Sequence, residues 1–235
     1  MTPKILGTCL LGGIAALDAT PVAQTLMSQP LVTASLLGLL WGQWLLAIKV
    51  GIVLQVFAAG TLPVGARTPE DYAIGGVIGT GVALMLGASA PFANAQDASA
   101  MLGVLAGLVS AATGVPLIKW QRRRNEALGR WCEHEVTAGR EQALGQAQVA
   151  TVGLAFAVGV ASCAAFLAAG AWAMRPWVLE HSVRLARAWN IAQPLWLGFG
   201  LAHLLNAFVQ RRYTRVAVFG LGLVVAWILL FSRGL

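Results

Sequence analysis

Eight apolar stretches recur along this chain, most of them close to the roughly 20 residues that carry a helix across a bilayer. They are Ile5 to Leu17, Leu31 to Ile48, Val50 to Ala66, Tyr72 to Pro91, Ala98 to Ile118, Val149 to Met174, Ile191 to Val209 and Val216 to Phe231. So many apolar segments can be buried only against one another and against lipid. Charged residues make up 11% of the 235 positions, against about a quarter in an ordinary soluble domain. The chain reads as an all-α polytopic membrane protein.

The net charge of +7 does not point to nucleic acid, because Lys and Arg sit in short clusters at the ends of apolar segments. There they mark cytoplasmic loops and can touch anionic lipid. The three cysteines, Cys9, Cys132 and Cys163, are scattered, which fits reduced thiols and no disulfide framework. Lys4 and the run behind it imitate a signal peptide, but the segment is expected to stay as a first helix.

One long polar interruption, Lys119 to Gln148, divides the chain into an N-terminal membrane half (1–118), a cytoplasmic basic helical loop (119–148) and a C-terminal membrane half (149–235). Its opening, KWQRRRNEALGR, stands directly behind an apolar segment and carries the positive-inside signature. The two halves are candidates for inverted repeats.

Counting crossings back from that loop makes Arg67 cytoplasmic; counting forward from Lys4 makes Lys49 cytoplasmic too. The stretch between them, VLQVFAAGTLPVGARTPED, is then expected to dip into the membrane and fold back near 50–66. Arms of about eight residues, or about 12 Å of helix, fall short of about 30 Å of hydrocarbon. The architecture expected is about seven transmembrane helices plus this re-entrant hairpin. Irregular backbone at that depth must be buried in protein or line a wet cavity.

Polar side chains at membrane depth need partners, and four stand near the two expected breaks: Asp18 and Gln24 around Pro21, and Gln55 and Thr61 in the hairpin. They are the candidate substrate-binding residues. Uncharged amides suit a polyhydroxylated ligand better than an ion. His203 and Asn206, one turn apart, read as a packing pair. WCEHEV (131–136) lacks the spacing of a zinc site, so no metal and no cofactor are expected. No hydrolase or P-loop motif is present, and hence no catalytic residue is assigned.

The run AQTLMSQPLVTASLLGLLWGQW, followed by KVGIVLQVFAAGTLPVGARTPED, resembles the permease subunit, enzyme IIC, of the mannose/fructose/sorbose family of the bacterial phosphoenolpyruvate-dependent sugar phosphotransferase system. NIAQPLWLGFGLAHLL adds a weaker echo. The resemblance implies a hexose-translocating subunit in the bacterial inner membrane. It also implies a IID membrane partner, a cytoplasmic IIB (IIAB) phosphocarrier that phosphorylates the arriving sugar, and assembly of several copies. Gln24 matches the family's polar position, but Gln55 stands where Glu is usual and Gln29 where Arg is common. Those departures motivate a second reading, a degenerate member acting as a membrane scaffold or regulatory partner of phosphotransferase proteins.

Overall fold

The computed structural model describes residues 2–19, 22, 25–60, 68, 70–89, 94–209, 211, 213–214, 216–221 and 224; of residues 203–208 it describes the backbone only. Its helices are α1 (Pro3–Ala19), α2 (Pro30–Trp41), α3 (Trp44–Gly60), α4 (Tyr72–Ser89), α5 (Ala95–Thr137) and α6 (Gln142–Phe208). Three of them, Tyr72–Ser89, Ala95–Thr137 and Gln142–Ala202 within α6, are long and apolar enough to cross a membrane. Most of the last apolar segment, Val216 to Phe231, lies outside the described residues.

The bundle has two ends, fixed by contacts. At one, the Lys4 ammonium donates to the Trp41 carbonyl at 3.1 Å and sits over the Trp41 ring. The Trp41 indole N–H donates to the Thr8 hydroxyl, and the Gln43 amide reaches the Leu84 carbonyl. Lys49 belongs to the same half, paired with Asp97 at the start of α5 at 2.6 Å. At the other end, the Arg122 guanidinium donates to the Thr68 hydroxyl at 3.3 Å, and the Asp71 N–H donates to the Ala111 carbonyl.

Two expectations change accordingly. The stretch Leu31 to Ile48 is not one segment: α2 stops at Trp41, Gly42 takes a left-handed conformation (φ 70°) and its N–H closes on the carbonyls of Gly38 and Leu39. That residue can do so because it has no Cβ. The chain then reverses into α3, which runs unbroken through 50–60, where a fold-back with both flanks on one side was expected. Its flanks Lys49 and Thr68 lie at opposite ends of the bundle; residues 61–67 lie outside the described residues. Lys49 misleads because its charge is neutralised by Asp97 and need not seek the cytoplasm. Accessibility tags beside Lys49 and Thr68 are therefore expected on opposite faces of the bilayer; labelling of both from one face would restore the hairpin.

The centre of the bundle is α4, with Gly75, Gly76, Val77, Ile78, Gly79, Thr80, Gly81 and Val82 all buried. Small residues permit that. A Cβ placed on Gly79 would stand 2.7 Å from the Gly103 carbonyl, and one on Gly103 would stand 2.5 Å from the Ala83 Cβ. Backbones this close are the usual means of joining helices where lipid removes the hydrophobic drive.

Both long helices exceed any bilayer. At 43 residues, about 64 Å, α5 carries the basic loop as a continuation of its own axis. The reversal at 138–141 uses Gly139 (φ 85°) and an Arg140–Glu135 ion pair. In α6 the backbone leaves helical geometry at His181 (φ −125°, ψ 23°), so the Arg-containing stretch between the apolar segments Val149 to Met174 and Ile191 to Val209 is helical on both sides of one break. The first arm packs on α1, where Gly12 and Gly13 meet Cys163, Phe156 and Val160; the second brings Gly200 onto Val56 and Phe199 onto Phe57.

Candidate functional site

Residues at the ends of α1 to α5, together with Val158 of α6, line a half-open cavity of about 410 Å³ at the Arg122 end of the bundle, within the range of small-molecule sites. Its polar wall includes Ser28, Gln29, Asp71, Gln121, Arg122 and Asn125, and Ile74 and Leu117 contribute apolar surface. A second hollow of about 660 Å³ follows the break in α6. Every residue lining that one, from Glu180 to Ile191, belongs to α6 alone, so it is a furrow along one helix and the cavity between helices is the candidate.

The wall begins with the connection into α2. Gln29 is extended (φ −77°, ψ 128°) and Pro30 opens the helix, a position where the missing N–H costs nothing and the fixed φ is already helical. Asp18, 5% exposed, ties this connection down from the end of α1. One carboxylate oxygen accepts the N–H and the hydroxyl of Thr25, and the other accepts the Ser28 N–H at 2.7 Å. Both oxygens are thereby occupied within the fold. Asp18 shapes the wall without lining it.

Gln55 plays a comparable part from α3. Its side-chain carbonyl accepts the Leu31 N–H at 3.1 Å, one of the unpaired donors at the start of α2. Its amide N–H₂ donates to the side-chain carbonyl of Gln29 at 2.7 Å. Of that pair, Gln29 lines the cavity. Gln24 and Thr61 lie outside the described residues, as do the side chains of His203 and Asn206.

The opposite wall was not among the sequence candidates. Asp71 caps α4, its carboxylate accepting the Ile74 N–H at 3.2 Å; burial pushes its carboxyl above the usual carboxylate range, opposed in part by the N–H groups of Ile74 and Ala73. Gln121 and Asn125 stand four residues apart on α5, one face of a helix, and both line the cavity. The Asn125 side-chain carbonyl is buried with no hydrogen-bond partner, an arrangement that is costly unless something fills it. The available signal was an uncharged i, i+4 amide pair inside a run of arginines.

Among the described residues no group of three or more His, Cys, Asp or Glu side chains could hold a metal. The cavity is lined by the amide residues Gln29, Gln121 and Asn125, by Glu70 and Asp71, by Tyr72 and by Arg122, a set able both to donate and to accept hydrogen bonds.

Comparison with known proteins follows the same direction. The family described as "PTS system sorbose-specific iic component" matches residues 4–232. No curated protein matches the chain. A solved structure described only as "Structure of membrane protein" superposes with a TM-score of 0.68 over 97% of this chain and 96% of that one, at 20% identity; it shares the fold.

Proposed function

The chain belongs to the sorbose-specific IIC component family of the sugar phosphotransferase system, and from that membership we propose that it is the sugar-translocating subunit of such a complex, with the cavity between its helices as its sugar site. It is a multi-pass membrane protein. The observation that carries the reading is the cavity itself, polar and lined by Gln29, Gln121 and Asn125 beside Glu70, Asp71 and Arg122, at the end of the bundle that bears Arg122, Arg123 and Arg124. By the positive-inside rule that end faces the cytoplasm, which is where a sugar must arrive to be phosphorylated.

Hydroxyls of a hexose would bond to Gln29, Gln121 and Asn125, while Asp18 and Gln55 hold the α2 wall in register. A cytoplasmic IIB phosphocarrier would supply the phosphoryl group, a IID subunit would complete the pathway, and movement would come from rocking of one group of helices against another. The bacterial inner membrane, contact with anionic lipid and an oligomeric assembly belong to the same proposal.

The departures at 29 and 55 favour a working site over a scaffold. The two positions share one hydrogen bond, so the family's Arg and Glu are replaced by two amides that still satisfy each other, and neither is stranded. Uptake of radiolabelled hexoses into vesicles carrying this chain, a IID subunit and the phosphocarriers tests the reading. Flux with the native chain supports it; assembly with IID and no flux of any hexose favours the scaffold. Gln55→Leu should insert normally and lose at least about tenfold in hexose affinity, through removal of the wall's hydrogen bonds. Unchanged affinity would separate Gln55 from the site.

A further inference from the structure

The hydrogen bonds at the start of α2 form a relay whose direction is fixed by the backbone. The Leu31 N–H can only donate, so the atom of Gln55 that meets it at 3.1 Å must be the side-chain carbonyl. The other end of the Gln55 amide can then only donate, so the atom of Gln29 that meets it at 2.7 Å must be the Gln29 carbonyl. What remains for the cavity is the Gln29 N–H₂ group, which has no partner among the described residues. The assignment follows from donor and acceptor capacity alone.

We propose that Gln55 sets the hydrogen-bond polarity of the cavity wall: through Gln29 it makes the α2 side a donor, facing a ligand oxygen that accepts. Across the cavity the unpartnered Asn125 carbonyl is an acceptor. Two ligand hydroxyls, one accepting from Gln29 and the other donating to Asn125, satisfy both walls. Gln55 does not line the cavity; it is a positioning residue. This rests on the reading of the cavity as a sugar site.

The test uses binding of a hexose that the native chain transports, together with its monodeoxy and monofluoro analogues at each ring position, to the full chain in detergent. Fluorine can accept a hydrogen bond but not donate one, and hydrogen can do neither. At the ring position facing Gln29, the native protein should lose at least about tenfold for the deoxy analogue and stay within about threefold for the fluoro analogue.

In Gln55→Glu the carboxylate still accepts the Leu31 N–H, and the positive end of α2 keeps it ionised. It can no longer donate, so the Gln29 amide must turn over and present its carbonyl to the cavity. At that same ring position the fluoro analogue should then lose at least about tenfold relative to the hexose. A second variant, Gln29→Glu, places an acceptor in the wall directly and should reject the fluoro analogue likewise; it decides the matter where Gln55→Glu binds no hexose. Hexose binding with the fluoro analogue still within about threefold at the Gln29-facing position in these variants overturns the polarity proposal and leaves the sugar site standing. So does a native protein that loses fluoro and deoxy analogues equally everywhere. A native protein that binds no hexose overturns the sugar reading itself.

Discussion

Gly103→Val should cost about 3 kcal/mol or more of stability, because its Cβ would lie 2.5 Å from that of Ala83 and 2.7 Å from the Gly79 carbonyl. Neither obstacle is the tip of a flexible side chain; one is backbone and the other is the first atom of a buried alanine. For a chain of this size the penalty is roughly 6–12 °C in the midpoint of thermal unfolding, readable in detergent from tryptophan fluorescence. Gly129→Ala is the control, since nothing lies within 4 Å of a Cβ built there, and alanine is favoured over glycine inside a helix by about 1 kcal/mol. Equal midpoints for native and Gly103→Val proteins would mean that α4 and α5 can slide apart at little cost, and the central position of α4 would lose its explanation.

Asp18→Ala is expected to act on stability and binding together. It removes the acceptor for the N–H groups of Thr25 and Ser28 and for the Thr25 hydroxyl, each unpaired group costing about 1–3 kcal/mol where water cannot replace the acceptor. The connection leading to Gln29 loses its anchor, so hexose affinity should fall by at least about tenfold as well. Asp18→Asn keeps the shape and one acceptor oxygen, and should fall between the two. Native affinity in the alanine variant would show that the order of this connection is immaterial to the site.

The residues that were legible as a sequence were those whose chemistry conflicts with their surroundings. Asp18 and Gln55 stand out in apolar runs, and each holds a backbone N–H near the start of α2. Their roles were not legible, because a polar side chain at depth can face a ligand or a helix end, and only the partners tell which. Gly42 lies inside the stretch Leu31 to Ile48, read as one apolar segment, and the reversal there is made by one backbone conformation. Lys4 and Lys49 misdirected the count of crossings since each has a local partner, a carbonyl with an aromatic face for one and Asp97 for the other. Arg175, Arg184 and Arg187 interrupt the apolar pattern where the chain stays helical around a break at His181. Gln121 and Asn125 were hidden by the arginines between them, although their spacing places them on one face.

Because α5 is one continuous rod, its buried half and its projecting half cannot be moved separately except at Pro116, where a backbone bond is missing. Inboard of that proline the helix is gripped by α4 through Gly103 and Gly107; outboard of it, Gln121 and Asn125 line the cavity. From Pro116 to Asn125 is about 13 Å of helix, a lever arm short enough to be stiff and long enough that a small rotation displaces this wall. A force applied to the stalk at 126–137 would thus be transmitted to the cavity wall, with the proline as its pivot.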